Sequence, residues 1–266
     1  MRRSIRISLP LPLSGSANEN KMEKIETIPV SWPAPKRIHA LTTTRVGGVS
    51  AGPYENFNLG DHVGDEPSSV KLNRTLLRQA LKLPAEPLWL KQVHGVDVVD
   101  AATATTGVIA DGAYTNKSGV VLAIMTADCL PIFLCDREGT EIGLVHAGWR
   151  GLAAGVMEAG LRAMGAPRHH LLAHLGPAIG PQSYEVGDEV RQEFVRHDPG
   201  AIRAFSATSE GKWLVDMYEL ARMRLHAHGV TQVTGGEHCT FRERDKFFSF
   251  RRDGVCGRMV SLIWID

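Results

Sequence analysis

The chain lacks most of the features that mark specialised classes of protein. It has four cysteines in 266 residues, too few for a disulfide framework at this length, and this favours a reducing, cytoplasmic setting. No apolar run approaches the roughly 20 residues that a membrane-spanning helix needs, so we expect no membrane partner. The formal net charge of +1 provides no surplus of positive charge, so we expect no nucleic-acid partner either.

The composition is that of an ordinary globular enzyme. The chain is 43% apolar and 22% charged, and it is long enough to bury a substantial core. Its first six residues, MRRSIR, form a basic segment. The apolar stretch that follows is short and contains Pro10 and Pro12, and such a stretch is not typical of a signal peptide. We therefore predict a disordered extension over residues 1–25 and a single catalytic domain over residues 26–266.

Apolar periodicity and turn residues predict a mixture of strands and helices. Helices are predicted at 67–83, 151–164, 188–197 and 216–228. Strands are predicted at 38–45, 88–93, 96–100, 119–126, 131–135, 141–146 and 171–175, followed by a hairpin of 246–251 and 258–265. Because strands outnumber crossover helices, we expect one α+β domain with mixed β-sheets and flanking helices.

Three residues with metal-binding side chains stand at the ends of predicted strands. Cys129 comes after the apolar run 119–126, His146 ends the run 141–146, and His94 follows the run 88–93. If these strands are neighbours, one thiolate and two imidazoles meet at one edge of a sheet. Zinc accepts Cys and His ligands in tetrahedral geometry, and three protein ligands leave one position open.

Two other interpretations of the same residues stay open. Copper also suits one cysteine and two histidines, so the ligand set does not fix the metal. Alternatively, Cys129 is a catalytic nucleophile and His146 its base. His94 distinguishes the two chemistries, because a metal site requires a third ligand and a nucleophile–base pair does not. Asp128, beside Cys129, is a candidate for orienting a ligating imidazole, with a plain turn residue as the competing interpretation.

Three further residues are candidates for binding substrate or phosphate. Arg45 precedes Gly47 and Gly48, whose amides can approach an anion, and arginine pairs well with phosphate. Arg150 stands near the start of a predicted helix, which also favours anions. Asn58 is a candidate for reading a polar edge of a ligand. For the arginines, the competing interpretation is a surface ion pair.

Eight short motifs, in order along the chain, resemble those of one known family. They are TTTRVGGVS at 42–50, NLG at 58–60, KQVHG at 91–95, ADGA at 110–113, TADCLP at 126–131, HAGWRGL at 146–152, GPAIG at 176–180 and FFSFRR at 247–252. They are similar to the YfiH family, also called the laccase-domain or polyphenol oxidase family, to which human FAMIN belongs. The resemblance extends over about residues 38–265. One departure is that members often have a cysteine near Gln182 or Ser183, and this chain has none there.

The resemblance implies a fold, a metal and a chemistry. It implies a single α+β domain and a zinc ion bound by the matching residues His94, Cys129 and His146. It implies phosphorolysis of adenosine, inosine and methylthioadenosine, and deamination of adenosine, with a purine nucleoside and phosphate as partners. In the expected reaction, an anion held by Arg45 or a glycine loop attacks the ribose C1′. Asp128 and His62 are candidates for protonating the leaving purine.

The oxidase name of the family is at odds with the histidine pattern. Multicopper oxidases gather several His-x-His pairs, whereas this chain has one, His226 and His228, on a predicted helix. Positions two apart on a helix point to nearly opposite faces, so we do not expect a trinuclear copper cluster. Weak oxidation by one copper ion in the zinc site remains an alternative, as does a peptidoglycan-precursor editing hydrolase that uses Cys129.

Overall fold

The computed structural model describes residues 25–266, so the predicted N-terminal extension falls outside the described residues apart from its last position. The strands are Thr27–Pro29 (β1), Ile38–Thr43 (β2), Val98–Asp100 (β3), Gly112–Thr115 (β4), Val121–Thr126 (β5), Leu130–Asp136 (β6), Ile142–Ala147 (β7), Leu171–Leu175 (β8), Glu185–Gly187 (β9), Phe205–Ser209 (β10), Lys212–Val215 (β11), Gln232–Gly235 (β12) and Met259–Ile265 (β13). The α-helices are Pro67–Leu81 (α1), Trp149–Ala154 (α2), Val156–Ala163 (α3), Asp188–His197 (α4), Met217–Ala227 (α5) and Phe250–Asp253 (α6).

The strands form three sheets. A four-stranded antiparallel sheet has the order β1-β2-β13-β5, and a small antiparallel sheet has the order β10-β11-β9. The third sheet has six strands in the order β12-β8-β6-β7-β4-β3 and is mixed, because its two outer pairs are parallel and its inner pairs antiparallel. The predicted α+β domain with mixed sheets and flanking helices is confirmed.

Alternating side chains place the core on both faces of the two larger sheets. In β6, Ile132 and Leu134 face helices α2, α3 and α5, whereas Phe133 points toward the four-stranded sheet. In β5, Leu122 and Ile124 meet Phe133 in that intersheet layer, and the alternate residues pack against α1. Burial on both faces explains why these strands are continuous apolar runs rather than alternating ones.

Local capping explains several helix boundaries. Pro67 begins α1, where its missing N–H is not needed. The Asp216 side chain accepts a hydrogen bond of 2.9 Å from the Glu219 N–H and caps α5, as predicted. Gly155, with a φ of 102°, splits the single helix predicted at 151–164 into α2 and α3. Within residues 25–266, no helix combines the length and apolar character needed to cross a membrane.

Two predicted strands are wrong. Residues 88–93 do not form a strand. Leu88 and Lys91 each make one isolated β-bridge, and no continuous ladder of hydrogen bonds joins this segment to a sheet. Residues 246–251 form a turn that leads into α6 rather than one arm of a hairpin. Phe247 and Phe248 are both fully buried, which the alternation of a strand exposed on one face does not allow. The last strand, β13, pairs with β2 and β5 instead.

Candidate metal centre

Cys129 and His146 meet because β6 and β7 are antiparallel neighbours. Leu130, the first residue of β6, pairs with Ala147, the last residue of β7, and Pro131 pairs with His146. Cys129 immediately precedes β6, so it lies at the same edge of the six-stranded sheet as His146. The two residues therefore meet as expected, but the expected pairing of 119–126 with 141–146 is wrong, because β5 belongs to the four-stranded sheet and β6 is the neighbour of β7.

His94 reaches this edge from a loop rather than from a strand. Its backbone φ of 62° lies in the left-handed region, which is uncommon for residues other than glycine. Its Nε2 lies 3.6 Å from Cys129 Sγ, and its ring centroid lies 4.7 Å from that of His146. One ligand atom from each of the three residues lies within 4.8 Å of the others. Across residues 25–266, this is the one group of three or more such side chains with that spacing.

Asp111, to which the sequence assigned no role, holds both histidines in place. It precedes β4 and is fully buried. Its carboxylate accepts hydrogen bonds from the backbone N–H groups of Val93, His94 and Gly95, at 3.1, 2.9 and 2.7 Å. It also bonds to His146 Nδ1 at 2.8 Å, which leaves the other ring nitrogen free to bind a metal. In the sequence, the one feature that could have indicated this role is the ADGA motif at 110–113, whose acidic residue comes just before a strand.

The separation of Cys129 and His94 fits two ligands of a tetrahedral metal ion. Zn–S and Zn–N bonds of about 2.3 and 2.1 Å separate two such ligands by about 3.6 Å. The observed distance between Cys129 Sγ and His94 Nε2 is 3.6 Å. Gly148 leaves space beside them, since a Cβ there would lie 2.6 Å from His94 Cδ2 and 3.2 Å from Cys129 Sγ. A thiolate with two imidazoles is a donor set suited to zinc and leaves one coordination position for a ligand.

Cys129 and His146 stabilise each other's charged form. Burial raises the pKa of the Cys129 thiol, but the charge of His146 and hydrogen bonds from both histidines outweigh burial and lower the pKa to about 6. Burial lowers the pKa of His146, but the Cys129 thiolate and Asp111 raise it to about 9. Without a metal, the pair is therefore a thiolate and an imidazolium at neutral pH. The thiolate is the form of cysteine that binds metals and attacks electrophiles.

His94 and Cys129 line a cavity of about 270 Å³. Trp149, Tyr184 and Phe250 provide aromatic surface around it. Clefts of about 730 and 570 Å³ lie elsewhere on the surface, but neither contains a residue of the His–Cys–His group. The smaller cavity is therefore the one that brings a ligand to the candidate metal ligands.

Two of the other candidate residues, Asp128 and Arg150, also line this cavity. The carboxylate of Asp128 accepts hydrogen bonds of 2.6 Å from Thr240 Oγ1 and from the Arg251 backbone N–H. Asp128 therefore does not orient a ligating imidazole, and the structure corrects that interpretation in favour of Asp111. Arg150 is the second residue of α2, and its guanidinium lies 4.4 Å from the centroid of the Trp149 ring.

Arg45 and His62 do not line the cavity. The Arg45 guanidinium lies 4.6 Å from the centroid of the Phe248 ring, which packs in a separate small core. His62 is exposed, and its Nδ1 lies 3.5 Å from an oxygen of Asp61. Neither contact places these side chains in the cavity, and their roles in phosphate binding and proton transfer stay predictions.

Asn58 has a structural role. It is fully buried, and its amide nitrogen donates hydrogen bonds to Gly60 O at 3.1 Å and to Asp65 Oδ2 at 2.8 Å. Its amide oxygen accepts from the backbone N–H groups of Gly60 and Arg258, both at 2.9 Å. Both ends of the amide are paired inside the protein, which favours a structural role, and the reading of a ligand by Asn58 stays a prediction.

The His-x-His pair lies away from the candidate metal ligands. His226 is on α5 and His228 caps it, and neither lines the cavity. His228 Nε2 lies 3.6 Å from Glu158 instead. For the part of the chain that the structure describes, a single three-residue group is therefore available to bind a metal, and a trinuclear copper cluster lacks ligands.

Comparison with known proteins gives consistent matches over nearly the whole described chain. A protein-family model described as "Multi-copper polyphenol oxidoreductase laccase" matches residues 39–266. "Purine nucleoside phosphorylase YfiH" of Shigella flexneri is 49% identical over 235 residues, which cover 88% of this chain and 96% of that protein. "Purine nucleoside phosphorylase PA4543" of Pseudomonas aeruginosa is 50% identical over 236 residues, with coverage of 88% and 96%.

A solved structure matches equally well. The crystal structure of Neisseria meningitidis protein NMB0706 has a TM-score of 0.88 and 48% sequence identity, and the match covers 90% of this chain and 99% of that one. The fold and the His–Cys–His group define an α+β protein with one candidate metal site at a sheet edge. The chain belongs to the family described as multi-copper polyphenol oxidoreductase laccase, and the resemblance to YfiH proteins is confirmed.

Proposed function

We propose that this chain is a zinc-dependent purine nucleoside phosphorylase whose metal is bound by His94, Cys129 and His146. The observation that carries the proposal is the group of three ligand atoms within 4.8 Å of one another, beside an open cavity. Relatives of 49–50% identity with names that specify purine nucleoside phosphorylase support the reaction class. The substrates are then inorganic phosphate and adenosine, inosine or methylthioadenosine.

In phosphorolysis, a phosphate oxygen bonds to the ribose C1′ while the bond between C1′ and the purine nitrogen breaks. The electron pair of that bond leaves with the purine, which takes up a proton, and the products are the free base and ribose 1-phosphate. Zinc, when bound, supplies a Lewis acid beside the reacting groups. The chain's own residues bind the substrates, orient them and exclude water.

The residues around the cavity have distinct proposed roles. Asp111 holds the loop of His94 and the ring of His146, so it positions two ligands at once. Arg150 binds an anionic group of the substrates, since its guanidinium lines the cavity. Asp128 fixes the backbone of Arg251 at the cavity wall through its 2.6 Å hydrogen bond, and through this contact it supports catalysis.

Deamination of adenosine is proposed as a second reaction of the same site. Zinc sites with three protein ligands and one open position catalyse the hydrolytic removal of amino groups from nucleobases. In adenosine, the amino group removed is the one at the purine C6. Both reactions then depend on the same three ligands, so a variant that loses the metal loses both.

One observation favours a second candidate function. The Cys129 thiol, with a pKa near 6, and the neighbouring His146 imidazolium resemble an activated nucleophile and its base. In that case the protein is a thiol hydrolase, for example one that edits peptidoglycan precursors. Copper-dependent oxidation of polyphenols is the remaining alternative, and it requires copper rather than zinc in the His–Cys–His group.

The test combines metal analysis with a nucleoside assay. We expect about one zinc ion per chain by mass spectrometry. With adenosine, we expect adenine and ribose 1-phosphate when phosphate is present, and inosine as a minor product. His94→Ala should lose both the zinc and the activity, whereas His226→Ala, which removes an exposed histidine of α5, should keep both. Activity that survives chelation and His94→Ala would instead support the thiol hydrolase.

A further inference from the structure

Two arginine side chains stand in the cavity wall without a carboxylate partner. Within residues 25–266, the Arg150 guanidinium forms no hydrogen bond or ion pair and is held against Trp149 by stacking. The Arg251 guanidinium lies 4.9 Å from the centroid of the Tyr184 ring and donates one hydrogen bond of 2.6 Å, to Glu185 O. Both side chains are exposed and lie against an aromatic ring, and most of their N–H donors stay available to a ligand.

The cavity wall also carries negative charge, from Asp128 and from the Cys129 thiolate, but within the described chain neither forms an ion pair with Arg150 or Arg251. Asp128 is the acidic residue in the wall, and its carboxylate oxygens already accept from Thr240 and from the Arg251 backbone. The Tyr184 hydroxyl makes no hydrogen bond within the described chain. Burial and the negative charges of Cys129 and Asp128 raise the pKa of Tyr184 to about 12, against the opposing charges of Arg251 and Arg150, so the hydroxyl stays a donor at neutral pH.

We propose that Arg150, Arg251 and Tyr184 form the oxyanion subsite of this cavity and bind inorganic phosphate beside the His–Cys–His group. The inference rests on the proposed phosphorolysis for its ligand and assigns the phosphate to this wall instead of to Arg45. Two guanidinium groups balance the charge of a phosphate dianion, and their planar N–H pairs match its oxygens. The tyrosine hydroxyl supplies one further donor. Because all three are donors, the subsite favours a tetrahedral oxyanion over a neutral ligand.

The subsite can be tested by phosphate binding alone, without turnover. Isothermal titration of the zinc-loaded protein with inorganic phosphate should show that Arg150→Gln and Arg251→Gln each weaken binding at least about tenfold. Tyr184→Phe should weaken it about threefold to tenfold. Arg162→Gln, which removes an exposed arginine of α3 outside the cavity, should leave the phosphate affinity within about twofold of that of the parent. Arg150→Gln breaks no hydrogen bond of the described fold and removes only the stacking on Trp149, so we expect this variant to stay folded.

The outcomes separate this proposal from the proposed function. If neither arginine substitution changes phosphate affinity, the subsite is overturned, whether or not the protein cleaves nucleosides. The subsite is also overturned if chelation abolishes phosphate binding while neither arginine substitution changes it, because phosphate then binds to the metal. If phosphate binds through the arginines but no nucleoside is consumed, the subsite stands and the phosphorylase assignment fails. When turnover occurs, the KM for phosphate should rise in both arginine variants while zinc content and nucleoside affinity stay within about twofold.

Discussion

Asp111→Asn is the most informative substitution, because it keeps the shape of the side chain and removes half of its acceptors. Oδ2 of Asp111 accepts from the N–H groups of Val93 and Gly95, and Oδ1 accepts from the N–H of His94 and from His146 Nδ1. Asparagine has a single acceptor oxygen, and its NH₂ group would face two of these donors. Both orientations of the amide therefore leave two N–H groups unpaired.

The expected loss of stability follows from those two donors. A buried donor that loses its acceptor costs about 1–3 kcal/mol, and these bonds are partly buried, so the lower half of the range applies. We expect Asp111→Asn to lower the free energy of unfolding of the metal-free protein by about 2–4 kcal/mol, a large share of the 5–15 kcal/mol typical of a domain. Loss of the orienting carboxylate should also weaken zinc binding about 10- to 100-fold.

Asp136 provides the matched control. It is 2% exposed, and its carboxylate accepts from the N–H groups of Thr140 and Glu141, at 2.7 and 2.8 Å, and from the Thr140 hydroxyl at 2.7 Å. Here both N–H groups share one oxygen, and the hydroxyl can turn to accept from an amide. Asp136→Asn therefore keeps every partner, and we expect a loss of less than about 1 kcal/mol and unchanged zinc affinity.

The two variants are compared by urea unfolding of the metal-free proteins and by zinc competition against a chelator. The reasoning predicts that only Asp111→Asn changes the zinc affinity. Equal and small effects in both variants would refute the idea that the Asp111 carboxylate organises the ligand loop. A large loss of stability in Asp111→Asn with normal zinc affinity would limit Asp111 to a structural role.

Three further predictions concern space, charge and reactivity. Gly148→Ala should abolish zinc binding, because its Cβ would lie 2.6 Å from Cδ2 of the ligand His94. Gly95→Ala should retain zinc, because the atom nearest to its Cβ would be 3.4 Å away. Metal analysis of both variants tests this prediction. Burial lowers the pKa of His174 to about 4, so the unfolded chain takes up a proton first as the pH falls from about 6.5 to 4. The free energy of unfolding should drop by about 2–3 kcal/mol over that range, and His174→Gln should flatten the profile measured by urea titration. Iodoacetamide should label Cys129 rapidly at pH 7 only after chelation, while burial raises the pKa of Cys135 and keeps it unreactive throughout; peptide mass spectrometry checks both.

Periodicity predicted the central elements, because their environment is uniform along their length. Strands β5, β6 and β7 are buried on both faces, so each is a continuous apolar run that stands out from its flanking turns. Shorter strands were missed: β9 to β12 are largely exposed on one side and no apolar run marks them. The interior strand β4, between β7 and β3, was missed as well, because its four residues form no apolar run. Residues 88–93 show the opposite error, since an apolar run can be buried by packing without joining a ladder.

The three candidate ligands were predictable, but what holds them was not. Cys129 and His146 meet through the antiparallel pairing of β6 with β7, whereas the prediction rested on a pairing of 119–126 with 141–146 that does not occur. His94 was chosen as the end of a strand, yet it occupies a loop in a left-handed conformation. That loop depends on hydrogen bonds to Asp111, which is 16–18 residues away, and a contact of this kind leaves no periodic signal.

The cavity wall shows why the sequence provided no reason to choose Arg251. Arg45 was preferred because glycines follow it, a purely local argument. Arg251 owes its position to its neighbours: Phe247 and Phe248 are both fully buried, so the chain must turn there, and Ser249 caps the short helix that follows. The turn brings the backbone N–H of Arg251 to Asp128, beside Cys129, and thereby sets its side chain in the wall of the cavity. The position of Arg251 is thus a product of aromatic burial nearby, and the FFSFRR motif at 247–252 gives its place in the chain but not its place in the cavity wall.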